Sequence, residues 1–349
     1  MSQSPRKAIV MMTAIVPTVG HKFLIDFAAH IVPVEEVHVI VCALEREPTE
    51  LRHRVEALRE ACVPDVGAQR IIFHQLEREV PQVPADHPNF WEVWRDIVRE
   101  FVNVEKDDYF VASELYGIDM ANVLGCHFMP CNRYREVFPV SGTEVRGDLM
   151  ENFEYILPAY QHRIRQTVTL FGAESCGKTT MAKRLSELMN GWFLPEWARE
   201  YLETVGSEVT DERMRDIFQG QMALQLTAQT FQGKPWIFQD TDLLSTYGYY
   251  RINGTDENTL IVERVIANLS KADFYIVMND RIPFEEDPLR YGGTVRESSM
   301  QFWIDLLDEF GCKYYVITST NQDQQTREAI RALNNHFESA FNHIMEYVR

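Results

Sequence analysis

The chain has 349 residues, 45% of them hydrophobic and 25% charged, with 34 Lys and Arg against 52 Asp and Glu and a formal net charge of −18. That length allows two domains with separate cores, and an acidic balance without a run of basic residues argues against nucleic acid as a partner. No apolar run reaches the ~18 residues that span a bilayer, no signal-peptide pattern opens the chain, and the six cysteines are dispersed, so a cytoplasmic, soluble protein with reduced thiols is expected. Cys126, His127 and Cys131 lack the second ligand cluster of a zinc site.

In chain order, Ala8–Val16 reads as a buried strand and Lys22–Ile31 as a helix. Val37–Val41 is a strand, and Pro48–Ala61 a helix with proline at its start. Arg70–His74, Tyr109–Ala112 and His127–Pro130 read as strands, interleaved with helices at Trp91–Val102 and Ile118–Leu124. The segment Glu151–Gln166 has poor periodicity and contains Pro158, which places a domain boundary at 160/161. The pattern then restarts: strand Thr167–Phe171, helices Thr179–Met189 and Asp211–Gln229, strand Trp236–Gln239, helix Leu260–Leu269 and strand Phe274–Met278. Met300–Phe310, Tyr314–Ile317 and Gln325–Tyr347 close the chain as helix, strand and helix. Such alternation predicts an α/β chain of two doubly wound parallel sheets, residues 1–160 and 161–349, with ligands at the carboxyl ends of the strands.

The most informative segment is Gly172-Ala-Glu-Ser-Cys-Gly177-Lys178-Thr179-Thr180, which fits G-x-x-x-x-G-K-[ST] between a strand and a helix. Its glycines let backbone N–H groups surround phosphates, Lys178 reaches the β/γ oxygens, and the Thr179 hydroxyl suits Mg²⁺. Glu174, Ser175 and Thr180 belong to the same ATP-binding loop. About sixty residues later, Asp240-Thr241-Asp242 ends a strand, where a Mg²⁺-anchoring carboxylate or a base for an attacking hydroxyl is expected. Either aspartate fits either role. The bland alternative is a Gly-containing turn followed by a solvated strand end. No N-K-x-D guanine signature is present in this half.

In the first half, Pro17-Thr18-Val19-Gly20-His21 follows the first strand and opens a helix. Gly20 allows phosphate to approach the helix N-terminus, and His21 can donate to an α-phosphate. Ser141, Gly142, Thr143 and Arg146 offer hydroxyls, amides and a guanidinium for further phosphates. Taken singly, each cluster also reads as a helix cap on the surface.

Together these residues resemble a known family. Thr18-x-Gly20-His21 and Ser141-x-Thr143-x-x-Arg146 resemble the paired motifs of the nucleotidyltransferase superfamily. Through nearly the whole chain the match is to the bifunctional nicotinamide-nucleotide adenylyltransferase/ribosylnicotinamide kinases of the NadR type. Ser113-Glu114-Leu-Tyr116-Gly117 resembles S-E-x-Y-G, and Pro88-Asn-Phe-Trp91 its Trp-containing nicotinamide-binding stretch. Phe153–Pro158 is similar to its connector. In the second half, Glu196-Trp-Ala-Arg199-Glu-Tyr201, Gly220-Gln221, Asp240-Thr-Asp242 and Pro283–Arg290 are similar to E-[YW]-x-R-E-Y, G-Q, D-T-D and P-W-x-x-D-G-x-R.

There are departures. The family's opening turn, G-[KR]-F-x-P-x-H-x-G-H, here lacks its leading Gly and its aromatic, and Thr18 stands for the first His. Phe284 and Pro288 replace Trp and Gly. Met1–Lys7 is short for the helix-turn-helix that precedes some members, so that extension is not expected.

The resemblance implies a Rossmann-like nucleotidyltransferase domain followed by a P-loop nucleoside kinase. It implies Mg²⁺, ATP as co-substrate, and nicotinamide riboside and its mononucleotide (NMN) as substrates. Expected catalytic residues are His21, Thr18, Arg146, Lys178, Asp240 and Asp242. ATP would also meet Gly20, Ser141, Thr143, Gly172, Gly177 and Arg290. Substrates would meet Trp91, Glu114, Tyr116, Glu196, Arg199, Gln221 and Asp287, with Thr179 and Asp240 on Mg²⁺. Neither membrane nor nucleic acid is expected as a partner, and a homo-oligomer is allowed for. Two rivals stay open: a kinase whose first domain only senses nucleotide, and a non-enzymatic ATP-binding switch.

Overall fold

The computed structural model describes residues 5–62, 70–206, 208, 210–254, 256–281 and 298–345. The chain divides into two compact units, one of Met1–Arg163 with Asn342–Arg349 and the other of Ile164–Phe341.

The first unit holds β1 (Lys7–Met12), α1 (Val19–Ala29), β2 (Glu36–Ala43), α2 (Leu51–Ala61), β3 (Arg70–Glu77), α3 (Phe90–Phe101), β4 (Tyr109–Ala112), α4 (Tyr116–Leu124), β5 (His127–Pro130), α5 (Gly142–Gly147) and α6 (Pro158–Gln161). Its sheet is parallel, in the order β3-β2-β1-β4-β5. The strand order reverses between β1 and β4, the place where a doubly wound sheet opens a crevice. β1 and β2 are almost wholly apolar because helices cover both of their faces. On one face Trp94, Ile97 and Val98 of α3 pack with Met120 and Leu124 of α4 against Ile9, Ile40 and Phe110.

The second unit holds β6 (Gln166–Phe171), α7 (Lys178–Leu188), β7 (Gly191–Leu194), α8 (Trp197–Val205), α9 (Asp211–Ala228), β8 (Trp236–Gln239), α10 (Leu243–Asn253), α11 (Glu257–Leu269), β9 (Phe274–Val277), α12 (Met300–Glu309), β10 (Tyr314–Val316) and most of α13 (Gln322–Met345). This sheet is also parallel, ordered β10-β9-β6-β8-β7, with β6 in the middle. Phe171, Tyr275, Trp303 and Phe310 form the heart of its core, where the Trp303 ring meets Phe171 edge-on at 5.2 Å.

Several elements depart from the sequence expectation. β1 stops at Met12 rather than Val16, because Ala14 takes φ +43, outside any strand conformation. α2 begins at Leu51, so Pro48 lies in the preceding loop. β7, α8 and α10 have no counterpart in the reading from sequence. β7 has four residues, and α10 carries Gly248 and three tyrosines, which weakens its helical signal. Gly248 is needed there: a β-carbon would come within 2.6 Å of the Trp303 ring.

Candidate active sites

In the first unit the loop after β1 delivers Thr18 as the N-cap of α1, with His21 at the third helical position. The Thr18 N–H donates to His21 Nδ1 at 3.0 Å, and the Thr18 hydroxyl lies 2.8 Å from the same nitrogen. A backbone N–H can only donate, so Nδ1 is the acceptor and the neutral ring carries its proton on Nε2. Burial, aided by the charges of Arg146 and Arg135, pushes the His21 pKa down to about 4. At neutral pH the ring is therefore an uncharged Nε2–H donor. A β-carbon at Gly142 would lie 3.7 Å from His21 Nε2 and 3.4 Å from Arg146 Nη1, so that donor faces the start of α5 beside the guanidinium.

Arg146 donates from Nη2 to the Thr143 hydroxyl at 3.2 Å, while its buried Nε has no partner. An unpaired buried donor on a cation is what an anion would satisfy. Ser141 caps α5 by accepting from the Glu144 N–H, with the Glu144 carboxylate reaching back. A cavity of about 140 Å³ joins Thr18, Gly20 and His21 to Asn132, Arg135 and Gly142. Arg135, paired with Glu114 at 3.5 Å, was not among the expected residues. Its signal is the cationic Arg133-Tyr134-Arg135 run just before the Ser141 cluster.

A larger cavity of about 670 Å³ adjoins His21 and is lined by Glu47, Trp91, Trp94, Glu114 and Tyr116 among others. The two tryptophans differ. Trp94 is a core residue whose Nε1–H donates to the Pro81 carbonyl at 3.0 Å. Trp91 is half-buried and meets Phe90 edge-on at 4.9 Å, which leaves it free to present a ring face to the cavity. Tyr116 also lines it, its phenol pKa raised by burial. Thr18 is buried, and both its N–H and its hydroxyl meet His21, so it is placed to orient that ring.

In the second unit the loop after β6 has three residues with positive φ: Gly172 (+131), Ser175 (+54) and Gly177 (+89). At Gly172 a β-carbon would also stand 3.1 Å from the Met278 carbonyl oxygen, so no other residue suits the turn. The Lys178 ammonium donates to the carbonyls of Gly172 (3.0 Å) and Ala173 (2.8 Å), which holds the cation at the loop. The Glu174 carboxylate accepts from the Ser298 hydroxyl at 3.2 Å. Thr180 is exposed on the first turn of α7.

The Thr179 hydroxyl donates to the Asp240 carboxylate at 2.6 Å. Hydroxyl and carboxylate oxygens side by side, next to a phosphate loop, form a donor set that fits Mg²⁺. Asp242 is different. It is fully buried, caps α10 through the Ser245 N–H, and also accepts from the hydroxyls of Ser245, Thr169 and Tyr275. Burial raises its pKa. Every oxygen is engaged inside the core, so Asp242 can be neither base nor metal anchor, a correction to the expectation.

Gln221 is corrected too. Its Oε1 accepts from the Trp197 N–H at 3.1 Å and its Nε2 donates to the Thr241 carbonyl at 2.9 Å, and the side chain is buried, which turns it away from a substrate. Beside it a β-carbon at Gly220 would come within 2.3 Å of the Trp197 ring. The pair therefore seats the start of α8, where Glu196 is the N-cap and Arg199 pairs with Glu203 at 3.9 Å. Asp287 and Arg290, with the rest of Pro283–Arg290, lie outside the described residues. Among the described residues, no group of three or more His, Cys, Asp and Glu side chains could hold a metal ion, and no helix is long and apolar enough to cross a membrane.

The family model described as "AAA domain" matches residues 167–325. The trifunctional NAD biosynthesis/regulator protein NadR of Escherichia coli strain K12 is 21% identical over 324 residues, 88% of this chain and 77% of that protein. The NadR of Salmonella typhimurium strain LT2 is 21% identical over 329 residues, 87% of this chain and 77% of its own length. Among solved structures, a NadR protein in complex with NAD and AMP-PNP superposes with a TM-score of 0.69 at 21% identity, covering 95% of this chain and 96% of that one. A NadR protein in complex with NR gives 0.66 at 20% identity, covering 95% and 97%. The chain is thus similar to the NadR proteins in sequence and in fold along nearly its whole length.

Proposed function

We propose that the chain is a two-site enzyme of NAD biosynthesis. The second unit phosphorylates nicotinamide riboside to NMN with ATP, and the first transfers the adenylyl group of a second ATP to NMN, releasing NAD and pyrophosphate. The observation that carries this reading is that each unit places a phosphate-holding turn, with its own set of donors, after a central strand of its own sheet. The similarity to NadR proteins across both units supports it.

In the kinase, the ribosyl 5′-hydroxyl attacks the γ-phosphorus, the bond to the β–γ bridging oxygen breaks, and ADP leaves. Lys178 and the loop amides neutralise charge on the transferring group. Thr179 and Asp240 are placed to hold Mg²⁺, which supplies additional charge neutralisation when bound. With Asp242 sealed in the core and Asp240 assigned to Mg²⁺, Glu196, the N-cap of α8 just after β7, would orient the hydroxyl and accept its proton. Arg199 lies one turn further along α8.

In the transferase, an NMN phosphate oxygen attacks the α-phosphorus of ATP. Proximity and charge stabilisation suffice, without a protein nucleophile. His21 donates from Nε2 to the α-phosphate as it gains charge, and Arg146 and Arg135 hold phosphate oxygens nearby. Trp91 supplies a face for the nicotinamide ring. We place the protein in the cytoplasm, acting on small molecules, and leave room for a homo-oligomer.

Incubating the protein with Mg²⁺, ATP and nicotinamide riboside, then separating the products, tests the reading. NMN, NAD and pyrophosphate are expected in sequence. NMN alone would support the rival in which the first unit only binds nucleotide.

A further inference from the structure

Arg54, on α2, is a buried cation with no role in the chemistry described above. Its side chain is 0% exposed. Nε donates to the Thr49 hydroxyl (2.9 Å), Nη2 to the Thr49 carbonyl (2.6 Å), and Nη1 to both the Thr13 carbonyl (3.1 Å) and the Glu47 carboxylate (2.5 Å). The Glu47 side chain is itself only 5% exposed. Removing two charges from water costs several kcal/mol each, and a well-packed apolar pair would often serve stability as well. Burying an ion pair here calls for a reason other than stability.

The partners point to that reason. Thr13 and Ile15 flank Ala14, which is buried with φ +43, a left-handed conformation that suits glycine far better. The carbonyls on both sides of Ala14 are held: Thr13 by Arg54, and Ile15 by the Thr49 hydroxyl at 2.8 Å. Three residues further on is Thr18, which holds His21. Glu47 reaches the site by a second route. It lines the larger cavity, and its charge acts on Arg146 in opposition to the burial that lowers that guanidinium's pKa.

We propose that Arg54, Glu47 and Thr49 are positioning residues for adenylyl transfer. Arg54 and Thr49 fix the strained turn that carries His21, and the Glu47 carboxylate balances the buried charge of Arg54 and the nearby charge of Arg146. The inference rests on the transferase reading of the first unit. A displacement of about 1 Å at a reacting centre can cost 10²-fold in rate, so small releases of this network are visible in kcat.

The test uses the full-length protein and three substitutions, Thr49→Val, Thr49→Ser and Glu47→Gln, each assayed below its melting temperature. Pyrophosphate release from NMN and ATP is measured beside phosphorylation of nicotinamide riboside in the same sample. Thr49→Val removes the hydroxyl at nearly constant volume and should lower transferase kcat by about tenfold or more, with KM for ATP and NMN within about twofold. Thr49→Ser restores the hydroxyl and should recover most of the rate. Glu47→Gln should lower kcat by a similar factor. The kinase, in the other unit, should be unaffected and reports that the preparation is folded. Wild-type transferase kcat in Thr49→Val and Glu47→Gln, with only a lower melting temperature, overturns the proposal and leaves the two-site function standing. A wild-type protein that releases no pyrophosphate overturns both, and is recognised before any variant is made.

Discussion

In the proposed function the two units would hold phosphate in different ways. The second uses a point cation, Lys178, inside a contiguous nine-residue loop, with a hard oxygen pair, Thr179 and Asp240, beside it. The first uses an uncharged donor, His21, kept neutral by burial and by Arg146 and Arg135, and collects its other groups from loops more than a hundred residues apart. The difference follows the chemistry. Moving a γ-phosphoryl group calls for concentrated positive charge on its oxygens. Attack at an α-phosphorus inside an intact ATP gains from a donor that does not titrate near neutral pH.

The largest effect should come from breaking the kinase side alone. Lys178→Ala is expected to lower riboside phosphorylation by about 10³-fold or more, with pyrophosphate release from NMN nearly unchanged. A retained kinase rate in a folded Lys178→Ala protein would remove the loop from the mechanism. On the other side, His21→Ala should cut adenylyl transfer by about 10²–10³-fold, the loss of one well-placed donor, and leave the kinase alone. His21→Asn, which keeps a donor without titrating, should recover part of that loss. No recovery, together with a bell-shaped pH profile in wild type, would mean that proton transfer is the residue's task.

A third comparison sharpens the kinase site itself. Asp240→Asn should reduce kinase kcat by about 10²-fold and raise its Mg²⁺ requirement. Asp242→Asn should leave kcat within about threefold while lowering stability by ~1–3 kcal/mol, because an amide N–H₂ then faces hydroxyl and N–H donors in the core. Chemical denaturation beside steady-state kinetics separates the two, and the reverse ranking would put Asp242 back at the reaction.

A smaller effect is expected from pH. The folded-state pKa of His21, about 4, lies below its unfolded value near 6.5. The folded state therefore resists protonation. Above about pH 6.5 the residue adds no pH dependence, and as pH falls from 6.5 toward 4 it costs the first unit up to ~3 kcal/mol. His38 and His74, hydrogen-bonded to each other at 2.9 Å in the same unit and also lowered by burial, act in the same direction. Melting curves between pH 7.5 and 5 should show His21→Asn losing less stability than wild type over that window. Equal losses would place His21 in contact with solvent.

How much of this is legible in the sequence depends on whether a site is contiguous. Gly172–Thr179 can be read directly, because the loop needs its glycines and its lysine at fixed spacing and little else. Asp240 follows as the acidic end of a strand, yet only the structure separates it from Asp242, since two residues along a strand end decide which carboxylate faces the loop and which caps α10. Gln221 sits within a G-Q pair that resembles a functional motif, but both ends of its amide are bound to backbone, which periodicity cannot show. In the first unit His21 is legible, whereas the groups that set it are not. Arg54 reads as an ordinary cation on a helix, and its place beneath the turn depends on loops that only the fold brings together. The early stop of β1 has the same origin, because an apolar run cannot report that Ala14 turns left-handed.

The central claim is that two independent phosphate-transfer sites lie on one chain. Its most direct test is a product time course for wild type, Lys178→Ala and His21→Ala, each given ATP, Mg²⁺ and either nicotinamide riboside or NMN. Wild type should convert the riboside to NMN and then to NAD, with one pyrophosphate per NAD. Lys178→Ala should make NAD from NMN but not from the riboside, and His21→Ala should accumulate NMN. Wild-type protein that stops at NMN, or one substitution that abolishes both reactions in a folded protein, would contradict the account.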